Sequence, residues 1–160
     1  MQKLVLGYGN VDRQDDGVAW HTISQMISLL GFPPPAPFEE LSPVTYGEVN
    51  FLFQLQLTPE MGELISGYDA VCFLDAHTGA VPDEIHFEEI HPDFQRSPFT
   101  HHLSPSTLLA ISDSIYSKYP RSVLISVRGY EFGFSNTLSE RSRALVKPAA
   151  DMILKWFSLL

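Results

Sequence analysis

The sequence predicts an α/β protein: a three-layer sandwich in which a mostly parallel, twisted sheet of about five strands carries helices on both faces. Three observations predict it. Short apolar runs at residues 3–8, 70–74 and 122–127 are of the kind buried on both sides in parallel sheets. Stretches of helical periodicity fall between these runs, and that alternation favours parallel strands joined by helical crossovers. The length, 160 residues, suits one domain over residues 1–160, large enough to bury about 70% of its unfolded surface.

The first strand is Lys3-Leu4-Val5-Leu6-Gly7-Tyr8, and Gly9-Asn10 turns the chain out of it. The acidic pair Asp15-Asp16 follows. Ala19, Ile23, Met26, Ile27 and Leu30 then mark one face of a helix, with Gly31 closing it and Pro33-Pro34-Pro35 forbidding continuation. Residues 31–43 read as a stiff, extended connection. Residues 49–57 form a second, aromatic-rich strand. Thr58-Pro59-Glu60 has the cap, proline and early acid of a helix start, for a short helix ending at Gly67. Residues 70–74 are a buried strand running into Asp75. Ile85 and Phe87 alternate with Glu84, His86 and Glu88, as on an edge strand. Ser104-Pro105 opens a helix to about Tyr119, residues 122–127 are another buried strand, and a Gly- and aromatic-rich loop spans 129–133. Ser139 opens the last helix, where Pro148 predicts a kink or restart.

Composition narrows the function. An apolar fraction of 44% with 18% charged residues excludes a disordered or fibrous chain. A net charge of −9, from 19 acidic and 10 basic residues, argues against capture of nucleic acid or an anionic membrane. No apolar run is long enough to span a bilayer. The single cysteine, Cys72, precludes an intramolecular disulfide or a cysteine-based zinc site and fits a reducing compartment. A cytoplasmic protein is the expectation.

Three clusters carry chemistry. The first is Gly7-Tyr8-Gly9-Asn10 with Asp15-Asp16-Gly17 at the mouth of the first helix. The third glycine of a dinucleotide fingerprint is missing, because position 12 is Asp, and two carboxylates there repel a pyrophosphate. Helix capping accounts for one of these acids and leaves the other to spare. The second is Asp75 at a strand end, with a loop-capping role as its plain alternative. The third is His101-His102, ahead of the Ser104 cap. Two carboxylates and one imidazole make a donor set for a divalent transition metal. Gly-x-Ser-x-Gly, His-Glu-x-x-His and P-loop motifs are absent.

In order and spacing, Leu4–Asn10, Asp15-Asp16-Gly17-Val18, Gln56–Glu60, Leu74-Asp75-Ala76, His101–Pro105 and Leu138-Ser139 resemble the [NiFe]-hydrogenase maturation endopeptidases along nearly the whole chain. The resemblance implies removal of a short C-terminal extension from the hydrogenase large-subunit precursor after nickel insertion. It implies that Asp16, Asp75 and His101 serve as metal-binding and catalytic residues, with nickel supplied by the precursor and read as the recognition signal. The protein partner is then that precursor, and a monomer is expected, since a nickel-bearing substrate must reach the strand-end face. An ion so held polarises the scissile carbonyl or acidifies a bound water, or a released carboxylate acts as general base; the residues leave these open. Two positions depart from the family pattern. Asp16 stands where many relatives have Glu, so Asp15 is an alternative for its role. Residues 53–57 lack the aspartate that many relatives use in substrate selection. A non-catalytic metal- or precursor-binding chaperone of the same fold is the competing reading.

Overall fold

The computed structural model describes residues 1–94 and 103–160. Six strands form one sheet: β1 (Lys3–Tyr8), β2 (Leu41–Tyr46), β3 (Val49–Gln54), β4 (Ala70–His77), β5 (Ile85–Ile90) and β6 (Arg121–Arg128), in the order β2-β3-β1-β4-β6-β5. The four central strands run parallel, and β2 and β5 close the edges antiparallel. Among the described residues four helices flank the sheet: α1 (Val18–Leu29), α2 (Met61–Ser66), α3 (Pro105–Tyr116) and α4 (Glu140–Ser158).

Alternation along the central strands feeds two separate cores. Val5, Cys72 and Leu74 point to one face, where they meet Ala19, Ile23 and Met26 of α1 and Ala149, Ile153 and Phe157 of α4. Leu4, Leu6, Val71 and Phe73 point to the other, against Met61 and Ile65 of α2 and Leu108 and Leu109 of α3. Both faces being covered, these strands read as continuous apolar runs. The predicted α1 face holds: Ala19, Ile23, Met26 and Ile27 are fully buried and Leu30 packs against their core. The α3 start holds as well, Ser104 Oγ accepting from Thr107 N–H with Pro105 in the first turn.

Five expectations change. The sheet has six strands, the extra one being β2 within and beyond the segment read as a connection. Pro43 lies where the β2–β3 register shifts between Leu41 and Val44, a place where an edge strand accepts proline. The predicted Thr58 cap does not form: backbone bonds from Met61 to Thr58 and Gly62 to Pro59 make a tight first turn, and α2 proper begins at Met61. The second strand stops at Gln54 and α3 at Tyr116, both short of the expected ends. Pro148 does not interrupt α4, which is one helix of 19 residues. Pro148 and Ala144, whose carbonyl loses its partner, are both exposed, so water can take that carbonyl.

Among the described residues no helix is long and apolar enough to cross a membrane.

Candidate active site

The order β3-β1-β4-β6 reverses direction at β1. The chain leaves β1 for β2 and β3 on one side, then crosses to β4 and β6 on the other. Ligands of open α/β sheets gather beyond the carboxyl ends of strands at such a switch. Here that place is bounded by the end of β1 and the segment after it, and by the second half of β4.

Register brings Asp75 there. β1 pairs with β4 only as far as Gly7 opposite Leu74, whereas β6 follows β4 through Asp75, Ala76 and His77. Asp75 therefore does not end its strand as the sequence suggested. It is held on the β6 side and open on the side where β1 turns away. Its Oδ1 accepts from Ala76 N–H at 2.7 Å, and the Tyr8 hydroxyl donates to the same carboxylate. Burial pushes the Asp75 carboxyl up to about 7, and the nearby negative charge of Asp16 adds to the rise, while the Ala76 and Tyr8 hydrogen bonds act against it. Tyr8 is itself held well above the ordinary tyrosine value, by burial first and then by the charge of Asp75.

Asp15 and Asp16 lie in a 3₁₀ turn, Gln14–Gly17, just ahead of α1, and neither caps a helix. Their environments differ sharply. Asp15 is fully buried and points away from the switch toward the loop after β6. Its Oδ2 accepts from Tyr130 N–H, Glu131 N–H and Ser139 Oγ–H at 2.8, 2.9 and 2.7 Å, and its Oδ1 accepts from Ser139 N–H at 2.8 Å. Burial alone acts to raise its pKa, but these four bonds outweigh it and hold the carboxyl below its ordinary value. Asp16 is half-buried, and its Oδ2 accepts from Asn10 N–H at 2.8 Å. Among the described residues its Oδ1 accepts no hydrogen bond. The structure thus separates the two acids: Asp15 is saturated, and Asp16 lies near enough to Asp75 for its charge to act on that carboxyl.

Gly9 makes that placement possible. Its φ is +142°, and a Cβ there would lie 2.1 Å from the Asp16 carbonyl oxygen. Gly9→Ala is expected to destabilise the protein by more than about 2 kcal/mol through strain and this clash. Urea denaturation measures it; a variant as stable as wild type would show that the turn relaxes around the methyl.

The third predicted site residue, His101, lies outside the described residues, as does His102. Among the described residues no three His, Cys, Asp or Glu side chains gather to hold a metal. The donor chemistry still suits one: two carboxylates share the switch, and Asp16 has an oxygen to spare. His77 belongs to the β4–β5 turn, one ring nitrogen near the Asp83 carbonyl and the other accepting from Gly79 N–H. Cys72 is buried in the core with its thiol pKa pushed up, as an inert hydrophobe. A cavity of about 540 Å³, lined by His21, Gln25, Arg143 and Lys147, opens on the α1–α4 layer, away from the two carboxylates.

Sequence reasoning placed Tyr8 and Asn10 in the first cluster but gave neither a role of its own. The signal for Tyr8 was its place as the last residue of a buried strand, one step beyond the Gly7–Leu74 pair. No sequence signal marked the Asn10 N–H as a carboxylate donor.

No family model matches the chain, and comparison with curated proteins finds no match either. Solved structures do match. The Escherichia coli hydrogenase maturating endopeptidase HybD superposes with a TM-score of 0.68 over 99% of this chain and 93% of its own, at 17% identity. The chain has the fold of the hydrogenase maturation proteases. The [NiFe] hydrogenase maturation protease HycI of Thermococcus kodakarensis matches with a TM-score of 0.66 over 96% of this chain and 90% of its own, at 18% identity. A hydrogenase 2 maturation peptidase from a Thaumarchaeota archaeon aligns over the full length of both chains, with a TM-score of 0.59 and 21% identity. The maturation-protease fold thus accounts for the whole sheet, both helical layers and the switch at β1.

Proposed function

We propose that this chain is an endopeptidase that removes the C-terminal extension of a [NiFe]-hydrogenase large-subunit precursor once nickel is in place, acting in the cytoplasm as a monomer. The observation that carries the reading is the pairing of Asp16 with Asp75 at the β1–β4 switch of a fold shared with named maturation proteases. In this reading Asp16, Asp75 and His101 face the precursor's nickel, which belongs to the substrate and reports that the metal has been inserted. Asp16, with its uncommitted oxygen, takes that role rather than Asp15, whose carboxylate has no capacity left.

The chain's own groups supply proton chemistry. A carboxyl with a pKa of about 7 is divided between its two forms near neutrality. Asp75 can therefore accept a proton from an attacking water and return one to the departing amine. The Tyr8 hydroxyl and the Ala76 N–H hold it oriented, and the Asn10 N–H does the same for Asp16.

The test is processing of nickel-loaded precursor, read as loss of the extension by mass spectrometry. Alanine at Asp16, Asp75 or His101 is expected to abolish shortening while circular dichroism stays native. Full-rate processing by all three variants would overturn the proposal. Retention of the precursor without shortening by wild type would instead support the chaperone reading.

A further inference from the structure

The loop that leads from β6 to α4 combines tight fixation with exposed apolar surface. Tyr130 and Glu131 donate to Asp15, Gly133 N–H donates to Gln14 Oε1 at 2.7 Å, and Gln14 N–H donates to the Ser135 carbonyl at 2.7 Å. Ser135 N–H in turn donates to the Asp12 carbonyl. At the tip of this anchored loop Phe134 is 89% exposed, more than any other large apolar residue among those described. A mobile loop could hide such a ring; this one is tied on both sides of it.

Arg13 lies across that ring, its guanidinium carbon 4.6 Å from the centroid. Nε and Nη2 of Arg13 donate to the Phe132 carbonyl, which leaves Nη1 uncommitted. Among the described residues Arg13 forms no ion pair, although the chain carries a net charge of −9. Asp12 and Glu131, next in sequence to Arg13 and Phe132, are both exposed. Arg13 and Asp16 belong to one turn, in which the Arg13 carbonyl accepts from Asp16 N–H. An aromatic ring and an arginine on a preorganised mount are the composition and state of a strong interface contact, since little conformational freedom is lost on docking.

We propose that Phe134 and Arg13 form the docking contact for the precursor polypeptide, receiving an apolar side chain that neighbours a carboxylate. The proposal rests on the peptidase reading for the identity of its partner. The apolar side chain covers the Phe134 ring, and the carboxylate takes the free Nη1 edge of Arg13. Docking there uses neither site carboxylate for affinity.

The experiment titrates nickel-loaded precursor against wild type and Phe134→Ser by calorimetry, with processing kinetics measured in parallel. Phe134 is almost wholly in water, so the variant is expected to melt like wild type. The expected result is binding about tenfold weaker and KM raised by a similar factor, with kcat unchanged. Arg13→Gln is expected to weaken binding further and to flatten its dependence on salt. Binding by Phe134→Ser within twofold of wild type overturns the docking proposal and leaves the peptidase reading standing if the precursor is shortened. Phe134-dependent binding without any shortening keeps the docking contact and removes the peptidase. Absence of binding by wild type overturns both.

Discussion

Asp75→Asn is expected to be inactive and, above neutral pH, more stable than wild type. The folded protein holds the Asp75 carboxyl at about 7 against an ordinary value of 3.8, chiefly because burial disfavours its charge. A pKa raised on folding means that the folded state binds the proton more tightly than the unfolded state. The penalty is absent below about pH 4, where both states are protonated. It grows as pH rises from about 4 to about 7 and stands in full above that. Three units correspond to about 4 kcal/mol at most. Asparagine fills the same space, can keep the Ala76 N–H bond through Oδ1, and never ionises. Urea unfolding at pH 4 and pH 8 checks the point: equal stability at pH 4 and a gain of a few kcal/mol at pH 8. A gap of the same size at both pH values would show that the wild-type carboxyl is not held neutral. On the peptidase reading, the stability sacrificed at Asp75 is what a proton-transferring carboxyl requires.

Asp15→Ala is expected to be among the most damaging single substitutions in the chain, without touching the paired carboxylates directly. It strips the acceptor from Tyr130 N–H, Glu131 N–H, Ser139 N–H and Ser139 Oγ–H together. Each buried donor left unpaired costs about 1–3 kcal/mol, so a loss of about 4 kcal/mol or more is expected, a large share of a domain's stability. Asp15→Asn does not rescue it. With its amide toward Ser139 N–H it opposes one donor, and turned the other way it opposes three. The pH sign is opposite to that at Asp75. The Asp15 pKa is lowered on folding, so its contribution is present above about pH 4 and is lost as pH falls through the folded value. Thermal unfolding followed by tryptophan fluorescence reads both variants. A Tm within 2–3 °C of wild type for Asp15→Ala would mean that water replaces the carboxylate, and would contradict the clamp.

Much of this was legible because it is local. The central strands announce themselves by apolar runs that two helical layers demand, and α1 and α3 by periodicity and by the Ser104-Pro105 start. The β5 alternation correctly placed an edge. β2 was hidden for a physical reason: an edge strand with one bulge, a proline and no buried residue has little patterning to show. The position of Asp75 near a strand end was legible, but its elevated pKa comes chiefly from burial in the folded chain, with the charge of Asp16 from another segment adding to it. The division of labour between Asp15 and Asp16 was not legible at all. Adjacent and chemically identical, they are told apart only by a loop 115 residues further on that arrives to cover one of them.

That clamp also bears on when the site comes into being. β1, the turn with Asp16 and β4 are all within the first half of the chain, yet the donors that fix Asp15 lie at Tyr130, Glu131 and Ser139. During synthesis the amino-terminal half emerges first, and contacts this distant in sequence are the slowest to close. Until the ribosome has delivered the last strand and the start of the last helix, the turn that carries Asp16 has only its local bonds, such as Asn10 N–H to the Asp16 carboxylate, and none of these distant donors. On the peptidase reading, a nascent chain therefore has no finished site, and competence arrives late in assembly.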